Sequence, residues 1–204
     1  MRRSSMTLFS DPTCQFCHRV RIVLAEKGVT VDIENIEIES VTDEILEANP
    51  YGTLPTLVDR DLALYKSTVI MEYLDERFPH PPLLPVYPVA RAQSRLWIHR
   101  IEREWCPMLE QIRTGGKKEA DKARKELRES LIGISPIFED MPYFMSEEFT
   151  LVDCCLAPIL WRLPELNIEL PEKQVKPLLG YMSRVFEREA FKESLNEREK
   201  EMRA

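Results

Sequence analysis

The sequence predicts an α/β domain followed by an all-helical domain, and two observations carry that prediction. Within residues 6–78, short apolar runs typical of strands alternate with segments of helical periodicity, whereas from Val89 onward no strand pattern recurs. Between these regions, residues 79–88 contain five prolines. Because proline lacks an N–H and fixes φ, this stretch is neither a helix nor a central strand. We therefore predict domains at 1–78 and 89–204, joined by a linker at 79–88.

The first domain opens with a strand, a helix and a second strand. The predicted bounds are Met6–Ser10, Cys14–Lys27 and Val31–Ile38, and Gly28 ends the helix. The second strand is indicated by its apolar residues, which leave its register open.

The rest of this domain is predicted as a short helix, two strands and a longer helix. The bounds are Thr42–Ala48, Thr56–Asp59, Leu62–Tyr65 and Ser67–Phe78. The two strands flank the turn Asp59-Arg60-Asp61. The resulting order, β-α-β-α-β-β-α, is that of a thioredoxin-like domain with a mixed four-stranded sheet.

The second domain is predicted to contain helices at Val89–Ile112, Lys117–Phe138, Thr150–Leu163 and Pro177–Phe191. Thr150-Leu-Val-Asp153 fits a capping box, in which Thr150 caps the helix and Asp153 reaches back to the Thr150 N–H. The helix that it opens is apolar nearly all round, which indicates a central, buried position. Residues 192–204 are mostly charged, and we expect them to fray.

The composition argues against several classes of function. The net charge of -7 weighs against direct, sequence-specific binding of nucleic acid, because phosphate contacts need an excess of Lys and Arg. No apolar run approaches the length of about 20 residues that spans a bilayer, so we expect a cytoplasmic protein that makes no membrane contact. Five cysteines form no disulfide framework, and we expect most of them to be reduced.

Cys14-Gln-Phe-Cys17 lies at the start of the first predicted helix. A helix N-terminus carries partial positive charge, so a thiol there ionises more easily. One interpretation makes Cys14 a nucleophile and Cys17 its resolving thiol; the other is a helix start without turnover. No metal site is expected, because Cys14, Cys17 and His18 give three ligands where structural zinc takes four.

The two-domain pattern and the capped, buried helix resemble the glutathione S-transferase superfamily over nearly the whole chain. The resemblance implies a cis peptide bond at Leu54-Pro55, with the backbone before it placed for substrate. It also implies a glutathione site, here vestigial, at Cys14, Leu54, Pro55, Lys66 and Ser67. Two positions depart from the transferase pattern. Thr53 replaces a basic residue, and Lys66 replaces the acidic or amide residue before the serine.

A closer resemblance is to a family of bacterial RNA polymerase-associated regulators within this superfamily. It rests on RVRIVLAEKG (19–28), PTLVDR (55–60), IMEYLDERFPHPPLLPVYPVAR (70–91), LAPILWRLPEL (156–166) and YMSRVFERE (181–189). The resemblance implies a homodimer that binds polymerase holoenzyme or its sigma factor under stress, without catalysis and without a cofactor. It places the partner-binding pocket at Pro79, His80, Pro81 and Tyr87.

The sequence thus leaves two functions open. The first is a transcription regulator that acts by protein contact in the stress response. The alternative is a glutathione-dependent thiol transferase, of the omega or glutaredoxin kind, in which Cys14 is the nucleophile. We expect His80→Ala to impair only the first, and Cys14→Ser only the second.

Overall fold

The computed structural model describes residues 6–203, except for the side chain of residue 38. Residues 1–5 of the first predicted domain, and residue 204 of the second, lie outside the described part of the chain. The chain divides into two compact units. The first contains the residues up to Pro82 together with Glu189–Glu201, and the second contains Leu83–Arg188 with the residues after Glu201. The predicted α/β plus all-α class is confirmed.

The first unit holds a four-stranded mixed sheet in the order β2-β1-β3-β4. Its elements are β1 (Met6–Ser10), α1 (Gln15–Glu26), β2 (Asp32–Asn35), α2 (Asp43–Ala48), β3 (Thr56–Asp59), β4 (Leu62–Tyr65) and α3 (Ser67–Arg77). The strand β1 pairs with β2 in parallel and with β3 antiparallel, and β3 pairs antiparallel with β4. This is the predicted order of elements, with β1, β3 and β4 at their predicted bounds.

The strand β2 is shorter than predicted and forms an edge of the sheet, with all four of its residues exposed. Its register sets Leu8 opposite Ile33. One further bond, from the Ile36 N–H to the Ser10 carbonyl, extends the pairing before the chain turns into a 3-10 helix at Ile38–Ser40. The alternating apolar residues therefore predict a strand that is too long, because only the first half of the predicted segment pairs with a neighbouring strand.

The second unit contains α4 (Pro88–Arg100), α5 (Cys106–Thr114), α6 (Lys117–Ile134), α7 (Leu151–Trp161) and α8 (Lys176–Glu187). The predicted helix Val89–Ile112 is interrupted by a π-helical turn at Ile101–Trp105, in which the Cys106 N–H bonds to the Ile101 carbonyl. Pro107 explains the break, because it lacks the N–H that a continuous helix would use at that position. The helix α7 is buried along nearly all of its length, as expected.

The chain from the end of α8 onward contradicts three expectations. The predicted helix Pro177–Phe191 ends at Glu187, because Arg188 takes an extended conformation. Two short helices follow, α9 (Glu189–Ser194) and α10 (Glu197–Glu201), and they pack in the first unit rather than the second. Residues 192–201 therefore do not fray, and Glu189–Glu201 interrupts the helical unit that was predicted to be continuous over 89–204. Among residues 6–203, no helix combines the length and apolar character needed to cross a membrane.

Candidate functional site

The first candidate site is the cysteine turn, Asp11–Cys14, which leads from β1 into α1. The Asp11 carboxylate oxygen Oδ1 accepts hydrogen bonds from the N–H groups of Thr13 (2.7 Å) and Cys14 (3.0 Å). Cys14 is the N-cap residue of α1, and its carbonyl accepts the His18 N–H at 3.0 Å. The motif therefore lies at the helix start that the sequence predicts. Asp11, which the sequence analysis missed, is the residue that fixes the turn.

The two thiols occupy different environments. Cys14 is partly buried, whereas Cys17 is fully buried and its Sγ accepts the Asp11 N–H at 3.2 Å. A hydrogen bond from the Cys17 thiol is the main factor that lowers the pKa of Cys14 to about 7, against the opposing effects of burial and Asp11. Burial raises the pKa of Cys17. Cys14 is therefore the group that ionises near neutral pH, and Cys17 stays protonated and donates to it.

The residues proposed for glutathione lie in the first unit, and part of the set is assembled. Cys14 packs against a buried cluster of Phe9, Cys17, Ile45 and Leu54. The Leu54–Pro55 bond is cis. Among the turn and loop hydrogen bonds of residues 6–203, none involves the Leu54 backbone.

The start of α3 holds the other two residues proposed for glutathione, Lys66 and Ser67. Ser67 is buried, and its hydroxyl accepts a long hydrogen bond of 3.5 Å from the Arg19 guanidinium. Lys66 is exposed with a positive φ of 71°. A serine at a helix N-terminus suits a carboxylate, and the lysine charge would attract one. Cys14 and the cis Leu54–Pro55 bond thus lie together, and at α3 the Ser67 hydroxyl accepts from Arg19 while its own hydrogen can still be donated.

The second candidate site is the proline segment, Pro79–Pro81, at the end of the first unit. All three side chains are exposed, and the His80–Pro81 bond is cis. The buried Lys27 ammonium donates to the Asp75 carboxylate at 2.6 Å and to the Pro81 carbonyl. This ion pair attaches the proline segment to α1 and α3. It is a feature that the sequence analysis missed, since the pairing is not local in sequence.

Tyr87, the fourth residue of the predicted pocket, belongs to the second unit. It is the N-cap residue of α4 and is 78% exposed. The neighbouring residues Val86 and Val89 are exposed to a similar degree. The segment 79–88 therefore presents His80 at the end of one unit and an exposed aromatic ring at the start of the next.

Thr150 and Asp153 form a structural site in the second unit. The Thr150 N–H donates to Asp153 Oδ2 at 2.8 Å, and Thr150 Oγ1 accepts the Val152 N–H at 3.2 Å, which is the reciprocal cap that the sequence predicts. Asp153 Oδ1 also accepts the Tyr181 hydroxyl (2.7 Å) and the Phe144 N–H (3.0 Å). Burial raises the pKa of Asp153 to about 6 despite these bonds. The carboxyl group thus organises buried chain rather than a ligand site.

The segment Glu189–Glu201, here called the C-terminal clasp, packs on α1 in the first unit. The Glu199 carboxylate is fully buried and receives two hydrogen bonds of 2.8 Å from the Arg21 guanidinium. The ring nitrogen Nε2 of His18 lies 3.0 Å from Ser194 Oγ, and its ring contacts that of Phe191. The clasp therefore covers the helix that begins at the cysteine turn.

A local signal for the clasp exists in the sequence. Asn196-Glu-Arg-Glu199 has capping-box spacing, and the structure contains the reciprocal bonds. The Glu199 N–H donates to Asn196 Oδ1 at 3.0 Å, and the Asn196 N–H donates to Glu199 Oε2 at 3.2 Å. The high charge of the segment led us to expect solvent exposure instead of a packed helix, because charged runs are usually solvated.

Between residues 6 and 203, no group of three or more His, Cys, Asp or Glu side chains is arranged to hold a metal ion. All five cysteines are free thiols, and four of them are buried.

Comparison with known proteins agrees with this architecture. Residues 8–82 match the family model for the glutathione S-transferase N-terminal domain, and residues 96–189 match the model for the C-terminal domain. The tau class glutathione S-transferase of mango, Mangifera indica, superposes with a TM-score of 0.84 at 25% identity. The match covers 97% of this chain and 96% of the mango chain.

Higher identity is found among bacterial relatives. The stringent starvation protein A homolog of Pasteurella multocida is 58% identical over 95% of this chain and 92% of its own length. The homolog of Coxiella burnetii is 54% identical over 100% of this chain and 97% of its own length. With such identity over nearly full length on both sides, the chain belongs to the stringent starvation protein A family, within the glutathione S-transferase superfamily.

Proposed function

We propose that this protein is a stress-response regulator of transcription that acts by binding RNA polymerase holoenzyme or its sigma factor, without catalysis. The names of its relatives support a role in starvation. The observation that carries the proposal is the exposed proline segment, which the buried Lys27–Asp75 pair attaches to the first unit. The cytoplasm is the compartment where such a partner is met.

The geometry of the segment suits protein recognition. Proline restricts the backbone of Pro79–Pro81, so little conformational freedom is lost when a partner binds. The Lys27 ammonium fixes the Pro81 carbonyl, which further limits movement of the neighbouring His80. The exposed His80 ring offers a hydrogen-bond donor and acceptor, and Tyr87 offers an aromatic surface with a hydroxyl group. We assign these residues, with Pro79 and Pro81, to the partner-binding surface.

Direct reading of DNA is not part of the proposal. The chain has 28 Lys and Arg residues against 35 Asp and Glu residues, which gives the net charge of -7. An acidic protein of this kind gains little from phosphate contacts. We therefore place its effect on promoters in contacts with the polymerase, which is the component that touches DNA.

We also propose that the protein is a homodimer. In the first unit, the edge strand β4 and the helix α3 expose the apolar residues Leu62, Tyr65 and Val69, and Tyr51 packs its ring against that of Tyr65. Exposed apolar side chains on an edge strand and on the helix that follows it are features of an interface. Light scattering at micromolar concentration is expected to give twice the chain mass of 23.9 kDa. The mass of a single chain would contradict the proposal.

The test of the main proposal is binding of the purified protein to sigma-saturated RNA polymerase, followed by co-elution in gel filtration. The wild type is expected to co-elute, and His80→Ala is expected to lose most of that binding while its unfolding temperature is unchanged. The matched control is His99→Ala, another exposed histidine, in α4. Absence of wild-type binding would refute the function, whereas equal binding by His80→Ala would refute only the assigned surface.

A second candidate function is thiol transfer with glutathione, and the lowered pKa of Cys14 is the observation that favours it. In this reaction the Cys14 thiolate would attack the glutathione sulfur of a protein–glutathione disulfide. A bond between Cys14 and that sulfur forms as the original disulfide breaks, and the substrate protein leaves as a thiolate. A second glutathione thiolate then attacks the same glutathione sulfur, which releases Cys14 and glutathione disulfide.

The different environments of the two cysteines support different roles in this candidate reaction. Cys17 is fully buried and its pKa is raised, so it is better placed to donate to the Cys14 thiolate than to attack a mixed disulfide. The backbone of Leu54, beside the cis Pro55, would hold the peptide part of glutathione, with Lys66 and Ser67 near its carboxylate end. Cys14→Ser is expected to abolish transfer, and His80→Ala is expected to leave it intact.

A further inference from the structure

The clasp makes one contact with the cysteine turn that the proposed functions do not use. The Asn196 side-chain amide, through Nδ2, donates a hydrogen bond of 2.8 Å to the Pro12 carbonyl. Pro12 lies in the middle of the turn, two residues before Cys14. The contact therefore joins residues that are 184 positions apart, within the first unit.

The orientation of the Asn196 amide is set by the clasp itself. Its Oδ1 accepts the Glu199 N–H at 3.0 Å, and the Asn196 N–H donates to Glu199 Oε2 at 3.2 Å. Glu199 is in turn held by the two bonds from Arg21 of α1. Because Oδ1 is committed to the cap, Nδ2 is left to face the turn. The Asn196 donor is thus fixed relative to α1 through buried groups.

The Pro12 carbonyl and the Thr13 N–H belong to one planar peptide group. Asn196 binds the carbonyl side of this plane, and the Asp11 carboxylate binds the N–H side at 2.7 Å. The plane is therefore held on both of its polar edges. Its orientation determines where the chain enters α1, and hence where the Cys14 thiol lies relative to the helix start and to Cys17.

We propose that Asn196 is a positioning residue for Cys14: by holding the Pro12–Thr13 peptide plane, the clasp keeps the Cys14 thiol at the N-terminus of α1 and within hydrogen-bond reach of Cys17. The substrate class is a small electrophile or disulfide that reacts with the Cys14 thiolate. The proposal rests on the second candidate function, because it concerns the reactivity of the same thiol.

The groups around Cys14 determine how the Asn196–Pro12 contact affects the thiol. The ionisable groups that act on the thiol are Asp11 in the turn and Cys17 on α1. Its neighbours from β1, α2 and the loop before β3 are apolar, namely Phe9, Ile45 and Leu54. The clasp contributes the neutral Asn196 next to the turn, and its Glu199 charge is paired with Arg21. Loss of the Asn196 contact would therefore affect the thiol through geometry and not through a charge.

The test measures the rate at which iodoacetamide alkylates Cys14, by peptide mass spectrometry, between pH 5 and pH 9. In this reaction the Cys14 sulfur forms a bond to carbon, and iodide leaves. The variant is Asn196→Ser, because serine can still accept the Glu199 N–H as a cap but is too short to reach Pro12. The control is Arg198→Ala, which removes the exposed ion pair with Glu37 beside the Asn196–Pro12 contact but leaves Asn196 itself in place.

For Asn196→Ser we expect an alkylation rate at pH 7 about threefold to tenfold below that of the wild type. The half-maximal pH should move upward, because the thiolate loses its support from Cys17 and the helix start. Arg198→Ala should match the wild type. An unchanged pH profile in Asn196→Ser, with Cys14 still reactive in the wild type, would overturn the positioning role alone. A wild-type profile equal to that of a free thiol would overturn both this role and the second candidate function.

Discussion

Arg21 and Glu199 form a buried, bidentate ion pair, with both nitrogen–oxygen distances at 2.8 Å and a separation of 178 residues in sequence. Arg21 lies in the middle of α1, and Glu199 lies in α10 of the clasp. The Glu199 carboxylate also approaches His18 Nδ1 at 3.5 Å. This pair is the main polar connection between the last helix of the chain and the helix that begins at Cys14.

The first prediction concerns the cost of breaking this pair. Glu199→Ala is expected to lower the free energy of unfolding by about 3 kcal/mol, because it leaves the Arg21 charge buried without its carboxylate. Urea denaturation measures the change. The control is Arg198→Ala, whose exposed pair with Glu37 should contribute at most about 1 kcal/mol. Equal stabilities of the two variants would contradict the buried role of Glu199.

The clasp also marks a limit of what the sequence could predict. The segment after Arg188 has many charged residues, and charge usually indicates solvent exposure. The capping-box spacing of Asn196 and Glu199 was readable and predicts a short helix. That Glu199 is buried could not be read locally, because the compensating charge of Arg21 lies in another part of the chain. The wrong expectation of fraying follows from this non-local pairing.

Elements with a local signal were predicted closely. The strands β3 and β4 lie at their predicted bounds because a turn at Asp59–Asp61 separates two short apolar runs. In the site, the placement of Cys14 at a helix start followed from the same kind of local pattern. The contacts of Lys27, Asp75 and Asn196 could not be predicted from a local pattern, because each joins segments that meet only in the folded chain.

The second prediction separates the two thiols. Alkylation of Cys14 in the wild type is expected to reach half of its maximal rate near pH 7, in line with its lowered pKa. In Cys17→Ala the half-maximal pH should rise by about one unit, because the largest stabilising factor for the Cys14 thiolate is removed, and the rate at pH 7 should fall several-fold. Cys106→Ala, a buried cysteine of α5, is the control. The same profile in Cys17→Ala and the wild type would show that Cys17 is no donor.

The third prediction concerns pH and Asp153. Burial raises the pKa of Asp153 in the folded protein to about 6, so the protonated form is favoured on folding. The stabilising contribution is fully present below the unfolded pKa near 4 and is lost as the pH rises through 6. Compared with Asp153→Asn, the stability of the wild type should fall by about 2 kcal/mol between pH 4 and pH 7, out of about 3 kcal/mol for the whole shift.

Urea denaturation of both proteins across this range checks the linkage at Asp153. The comparison cancels other titrating groups, because the amide introduced by Asp153→Asn titrates at no pH while its oxygen can still accept from Tyr181 and Phe144. A difference that grows in favour of the wild type as the pH rises would mean that the hydrogen bonds to the carboxylate outweigh burial. In that case the carboxylate, and not the carboxylic acid, would be the form that the fold favours.

The last prediction tests whether the Lys27–Asp75 pair serves recognition or only stability. Lys27→Met removes the donor to the Pro81 carbonyl and the positive charge 2.6 Å from the buried Asp75 carboxylate, so both stability and polymerase binding should fall. The double variant Lys27→Met with Asp75→Leu removes the buried charge as well, and its free energy of unfolding should return to near that of the wild type. Its proline segment still lacks the Lys27 contact, so binding of His80 to polymerase should stay weakened several-fold.

Unfolding curves and polymerase co-elution of the wild type, the single variant and the double variant separate the two effects. Wild-type binding by the double variant would show that the segment holds its conformation without Lys27, and that the pair contributes to stability alone.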